Sequence, residues 1–330
     1  MNERNKKIDL NSAKLDEEKK SSLRPLSLNE FIGQQFIKSN LEAYIESSKK
    51  RKKNLDHIIL YGPPGLGKTS LAHIISNEKN VNFHSTSGPA FTKKGDLVTL
   101  LSNMMEGDIL FIDEIHRLSP IIEETLYPAM EDYKCDYVIG SGPSARVVQI
   151  SIEKFTLIGA TTRLGLLSRP LRDRFGIPLQ LSFYEPEDLM KIIILNSKKL
   201  KFLISEDSAY EIAKRSRGTP RIAIRLLKRI IDFSIVNEED KIDLKSAKES
   251  LKKMKIDSEG LDDMDRKYMN CIAYDFHGGP VGVETLSAAL LEHKDIIEDV
   301  IEPYLMQRGL VQRTSRGRIL SQKGLEHIKK

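Results

Sequence analysis

Long apolar runs are missing from this chain of 330 residues. None approaches the roughly 18 consecutive apolar residues that a membrane-crossing helix needs, and the first residues contain no apolar core of the secretory kind. Both absences lead to the expectation of a soluble, cytoplasmic protein with no membrane partner. Cysteine is scarce: Cys135 and Cys271 stand far apart, in no C-x-x-C or Cys/His spacing. Neither a disulfide framework nor a thiolate metal site is indicated, and a reduced compartment is expected. A large excess of one charge is absent too. The net charge of +5 is mild, so its meaning depends on where the basic residues gather. What remains, 40% hydrophobic and 30% charged residues, suits a globular protein long enough for about two or three domains.

The chain is organised around Gly62-Pro63-Pro64-Gly65-Leu66-Gly67-Lys68-Thr69, which fits G-x-x-x-x-G-K-[ST]. Ile58-Ile59-Leu60-Tyr61 before it reads as a buried strand, and Leu71, Ile74 and Ile75 after it recur at helical spacing, so the loop opens a helix. Gly62, Gly65 and Gly67 let the backbone curl until successive N–H groups point inward, and the helix N-terminus adds positive potential. Lys68 is the mobile charge for β- and γ-phosphates, and the Thr69 hydroxyl is placed for Mg²⁺. ATP or GTP binding is the working premise.

Ile109-Leu110-Phe111-Ile112 is a second apolar strand that ends in Asp113-Glu114. This is a Walker B pattern, in which Asp113 takes the Mg²⁺ role and Glu114 polarises the attacking water. A third strand, Phe155 to Ala160, ends in Thr161-Thr162, at the sheet edge where ligands of open α/β sheets lie. Thr161 either bonds the γ-phosphate or lytic water, or caps the following turn. The stretch Arg169 to Gly176 is dense in arginine; it is either plain surface or, at a subunit boundary, a source of a cation for a neighbour's nucleotide.

Around this core, residues 1–22 are polar and aperiodic and are expected to form a disordered arm. Residues 23–184 read as the large nucleotide domain. Within it, the basic run Lys49 to Lys53 is taken as a solvated helix end, and the segment from Tyr133 to Ile152, turning at Gly140-Ser141-Gly142-Pro143, as a β-hairpin. The hairpin either projects from the module or is an ordinary sheet extension. Residues 185–256 turn to helical periodicity and form a small lid, with Thr219 as N-cap and Pro220 in the first turn of a helix that Arg221 begins. Residues 257–330 read as three helices and a hairpin around Ser315-Arg316-Gly317, a winged helix, with Pro303 expected to bend or end the third helix. From Leu305 to Lys330 seven basic residues stand against one acid. Arg313, Arg316 and Arg318 cluster at the tight turn, either suited to phosphate contacts rather than base reading or simply a solvated basic turn.

GPPGLGKT, FIDEIHRLSP, GATTR and LRDRFG resemble the AAA+ ATPase module. The further combination TSGP, LYPAMEDY, PLRDRFG and RGTPRIA resembles the RuvB family, the bacterial Holliday-junction branch-migration motors, from about Leu23 to about residue 325. The fold implied is an α/β P-loop AAA+ domain, a small α-helical lid and a C-terminal winged helix. The resemblance implies that Arg174 is an arginine finger for the adjacent subunit and that Arg221 is a sensor-2 residue on the γ-phosphate. It places Leu23, Arg24 and Ile32 on the base, Ser70 beside Thr69 in the loop, Tyr184 on the lid side, and Glu131, Asp132 and Tyr133 near the nucleotide at the interface. It implies DNA contacts at Arg313 and Arg318, with Lys294 a further candidate. Implied cofactors and partners are ATP, Mg²⁺, duplex DNA at Holliday junctions, a RuvA-like junction-binding protein docked on the hairpin, a RuvC-like resolvase, and a hexameric ring of identical subunits. Ser70 and Ser315 depart from the usual Thr and Pro. The alternative function is an AAA+ loader or remodeller that places a protein ring on DNA; a nucleotide kinase is disfavoured because Glu114 and the basic hairpin have no place in it.

Overall fold

The computed structural model describes residues 23–139 and 146–329. The arm expected at residues 1–22 and the hairpin turn at Gly140–Pro143 lie outside the described residues. The chain divides into two compact bodies: one runs through Gly62 and resumes with Gly67–Ser182, the other takes Pro63–Leu66 and everything from Phe183 onward.

The first body is built on five strands: β1 (Ile58–Tyr61), β2 (Phe83–Ser87), β3 (Ile109–Asp113), β6 (Thr156–Thr161) and β7 (Ile177–Gln180), in the order β2-β3-β6-β1-β7. All neighbours pair parallel. β3 and β6 are apolar almost throughout because helices cover both sheet faces, so alternation has no solvent side to serve; every residue of β6 is buried. The register aligns Tyr61 with Thr161 and Ser87 with Asp113, which brings the C-terminal ends of the middle strands to one edge. Helices α1 (Gln35–Arg51), α2 (Lys68–Lys79), α3 (Lys94–Ser102), α4 (Pro120–Glu131) and α5 (Arg169–Asp173) complete this body. Lys49, Lys50 and Arg51 occupy the last turn of α1, where cations complement the helix dipole. The hairpin of β4 (Lys134–Ile139) and β5 (Arg146–Ser151) pairs only with itself among the described residues, so the sheet-extension alternative does not hold.

The second body starts with α6 (Pro186–Lys199), α7 (Glu206–Lys214), α8 (Pro220–Val236) and α9 (Leu244–Lys253), with a two-residue parallel ladder between β8 (Leu203–Ile204) and β9 (Lys241–Ile242). Thr219 does occupy the N-cap of α8 with Pro220 behind it, yet its hydroxyl bonds back to Ser216 O at 3.3 Å and not to the helix. The winged helix follows with α10 (Asp263–Asn270), α11 (Val283–Leu290), α12 (Lys294–Ile296), α13 (Glu302–Gln307), the hairpin β10 (Val311–Thr314) with β11 (Gly317–Leu320), and α14 (Gln322–Ile328). Its core gathers Leu261, Tyr268, Ile272, Leu286, Ile297 and Leu305. Pro303 stands in the first turn of α13, directly after the wider turn of Ile297–Ile301, where its missing N–H needs no helical partner.

Candidate nucleotide site and nucleic-acid surface

The phosphate loop has glycine where side chains have no room. Gly62 sits at φ +140, and a Cβ there would lie 2.4 Å from Leu181 O; Gly67, at φ +100, faces the Phe31 ring at 3.3 Å. Phe31 and Leu28 are buried beside Leu23, so the segment before α1 packs under the loop, while Arg24 is exposed and Ile32 partly so. Lys68 is buried, and its Nζ donates to Gly62 O at 2.7 Å. That bond closes the loop and holds the ammonium where an incoming anion would replace a neutral carbonyl.

At the same sheet edge, the Glu114 N–H donates to Asp113 Oδ1 at 3.0 Å. Glu114 itself is left-handed, φ 47 and ψ 47, which turns its carboxylate off the strand axis. Its Oε2 is buried with no hydrogen-bond partner, and the nearest cationic candidate is His116 Nδ1 at 3.3 Å. His116 Nδ1 also lies 2.9 Å from Thr161 Oγ1. The sequence reading did not single out His116; its place two residues past Glu114 is a signal, but nothing in the spacing says that a short helical turn (Ile115–Arg117) swings it back over β6. Thr161 is fully buried and accepts from the Arg163 N–H at 2.9 Å. Thr161 thus caps the turn after β6 and lies in bonding reach of His116.

Arg174 follows α5. Its Nη2 donates to Glu131 Oε2 at 3.1 Å, its Nη1 to Pro170 O at 2.8 Å, and its guanidinium stacks 4.5 Å from the Tyr127 ring. It lines a cleft of about 480 Å³ with Lys52, Lys53, Asp56, Tyr133 and Lys154. Glu131 and Tyr133 therefore converge on Arg174, whereas Asp132 is an exposed helix end.

In the second body, the Arg221 N–H donates to Gly65 O at 3.3 Å, and the buried Tyr184 hydroxyl donates to Leu66 O at 3.3 Å. Arg221 has no ion-pair partner among the described residues. On the wing, the three arginines part company. Arg316 is exposed at the turn. Arg313 is exposed, with one bond to Glu298 at 3.2 Å. Arg318 is buried: Nε donates to Glu302 Oε1 at 2.7 Å and Nη2 to Glu298 Oε1 at 2.8 Å. Burial opposes its charge, but these bonds to Glu302 and Glu298 raise its pKa overall. These bonds engage Nε and Nη2 of Arg318, so it is held more firmly than Arg313 or Arg316. Lys294 is half exposed and bonded to Glu284 at 3.1 Å.

Family models match in three consecutive stretches: the Holliday junction DNA helicase RuvB P-loop domain over residues 23–181, the RuvB AAA lid domain over 184–257, and the RuvB C-terminal winged helix domain over 258–329. Among solved structures, the Thermotoga maritima RuvB Holliday junction branch migration motor is 48% identical, with a TM-score of 0.87, over 93% of this chain and 98% of that one. Two single-residue mutants of the same Thermotoga maritima protein match with the same identity, coverage and TM-score.

Proposed function

Since the chain belongs to the RuvB family of Holliday junction branch migration motors, we propose how its own residues divide the work of ATP-driven movement along DNA. It is a P-loop ATPase that drives branch migration, and the ring-loader alternative is set aside with the family assignment. Gly62, Gly65, Gly67, Lys68, Thr69 and Ser70 cradle the triphosphate; Leu23, Arg24, Ile32 and Tyr184 border the base. When bound, ATP supplies the phosphoanhydride and Mg²⁺ neutralises its oxygens. Thr69 and Asp113 are the residues for the metal. Among the described residues no three His, Cys, Asp or Glu side chains converge on one point, which suits an ion that is held mainly by water and phosphate.

Glu114 orients the attacking water, with His116 and Thr161 fixing the direction of its carboxylate. The observation that carries this reading is Glu114 Oε2, buried with no hydrogen bond and only the His116 ring nitrogen at 3.3 Å: an acceptor short of a donor is costly unless a ligand or water completes it. Glu114→Gln should keep nucleotide binding and cut turnover. Turnover equal to the parent's would remove Glu114 from the mechanism.

Arg174 completes a neighbour's site in a hexameric ring, and Arg221 contacts the γ-phosphate within its own subunit. Arg313, Arg318 and Arg316 contact duplex phosphates, with Lys294 in support. The exposed Tyr137, Val147 and Val148 on the β4–β5 hairpin suit an apolar partner surface, here a RuvA-like junction-binding protein; a RuvC-like resolvase is a further partner. No helix among the described residues is long and apolar enough to cross a membrane, and the site of action is the cytoplasm.

A further inference from the structure

The turn from Ser216 to Arg221 is bonded on two sides, and the two sets of bonds lead to different functional ends. On one side, Arg221 N–H reaches Gly65 O at 3.3 Å, and Tyr184 N–H reaches Gly218 O at 2.8 Å. A Cβ on Gly65 would stand 3.0 Å from the Arg221 Cβ, so residues 63–66 of the phosphate loop touch the start of α8. On the other side is Arg217. Its Nε donates to Gly260 O at 2.8 Å, and its Nη1 to Asp265 Oδ1 at 3.3 Å. Its Nη2 bonds Asp265 Oδ2 and, at 2.8 Å, Asp262 Oδ2. The guanidinium also lies 5.7 Å from the Tyr304 ring on α13.

Asp262 and Asp265 are not arbitrary anchors. They form the capping box that starts α10, the first winged-helix element: Asp262 accepts from the N–H groups of Met264 and Asp265, and Asp265 from that of Asp262. Arg217 thus grips the N-terminus of the winged helix through the groups that define it. The backbone is left-handed at Arg217 (φ 52) and at Gly218 (φ 65), a conformation that a non-glycine residue holds only when its surroundings demand it. Here the demand is the buried ion pair, with Asp265 only 1% exposed. Separating such a pair leaves an uncompensated charge in the interior, so these bonds tie the turn to the start of α10.

We propose that Arg217 is a positioning residue that couples the nucleotide-sensing turn to the winged helix, so that the state of the phosphate site sets the wing's grip on DNA. The proposal rests on the reading of Arg221 as the γ-phosphate contact. A residue that merely braces the domains would affect stability and absolute affinities, but not the dependence of one ligand on the other. That dependence is a single factor, because the ratio by which ATPγS changes duplex affinity must equal the ratio by which duplex changes ATPγS affinity.

The experiment measures this factor in the full chain, by duplex titration with and without ATPγS and by the reverse titration, for the parent and for Arg217→Lys. Lysine keeps the charge but offers no fork to span two carboxylates. A parent factor in the roughly 5–150-fold range usual for allosteric pairs should fall below about twofold, while basal turnover stays within about twofold of the parent. If Arg217→Lys does not fold, Arg217→Met with Asp265→Leu removes both buried charges and should show the same loss. A factor of one in the parent, or an unchanged factor in a folded variant whose melting temperature has dropped, would overturn the proposal. Arg221→Ala tests the underlying reading separately: unaltered ATPγS affinity and basal turnover there would discard the sensor assignment, whereas the Arg217→Lys factor is measured with Arg221 intact.

Discussion

The phosphate loop and the wing are both short turns with glycine and strong cations, yet the partners seen around those cations differ. In the loop, Lys68 is buried and a backbone carbonyl, Gly62 O, is among its partners. On the wing, Arg318 is just as buried and bonds two carboxylates, Glu298 and Glu302. Arg313 and Arg316 remain outside. How firmly a basic residue is held therefore depends on the formal charge of its partners as well as on its place in a turn.

The largest effect expected from breaking this pattern is at a third cation, Arg174, whose partner Glu131 is exposed enough to release it. Arg174→Ala should leave ATP binding near normal and lower turnover on the order of 10³-fold or more. Mixing it with Lys68→Ala subunits should restore part of the activity if the residue acts between subunits; no recovery at any ratio, with mixed assembly verified, would place its action within one chain. Next in size is the buried wing pair. Arg318→Ala strands Glu302, itself 2% exposed and bonded to the Tyr268 hydroxyl at 3.0 Å, and should destabilise the winged helix by about 3–5 kcal/mol, read by chemical denaturation. Arg313→Ala with Arg316→Ala should change stability little but flatten the log K against log salt slope for duplex by about 0.9 per lost contact. An unchanged slope would move the phosphate contacts elsewhere. The smallest signal separates the two bodies. Each holds one buried thiol, Cys135 and Cys271, and burial pushes both up to about 11. Neither should react with maleimide at neutral pH in the native protein, so a thiol labelled first on partial unfolding identifies the body that opens first.

These contrasts explain what the residue string discloses. The middle strands β1, β3 and β6 are legible because burial on both faces leaves uninterrupted apolar runs. β2 and β7 are not, and they are the two edges of the sheet. β2 reads Phe-His-Ser-Thr-Ser and uses His84 to meet Asp108 at 3.0 Å; β7 carries Pro178, which an edge strand tolerates on its unpaired side. Helix α9 is hidden as well, since serines fill half of its buried positions: Ser246 and Ser250 beside Ala247 and Leu251. In the site, Lys68, Asp113 and Glu114 are legible because their chemistry demands fixed spacing along the chain. The burial of Arg318 is not, because its partners Glu298 and Glu302 lie on another element and only tertiary packing brings them near. His116 falls between, close in sequence but turned into place by a three-residue helical turn.

The left-handed backbone at Glu114 bears on any effort to engineer this chain. That conformation suits glycine, or asparagine, better than glutamate, so a library screened for heat resistance alone should enrich Glu114→Gly and Glu114→Asn, and the survivors would be sturdier proteins that no longer turn over. Directed evolution here needs an activity gate at every round, because at this position the sequence best for durability and the sequence that works are different sequences.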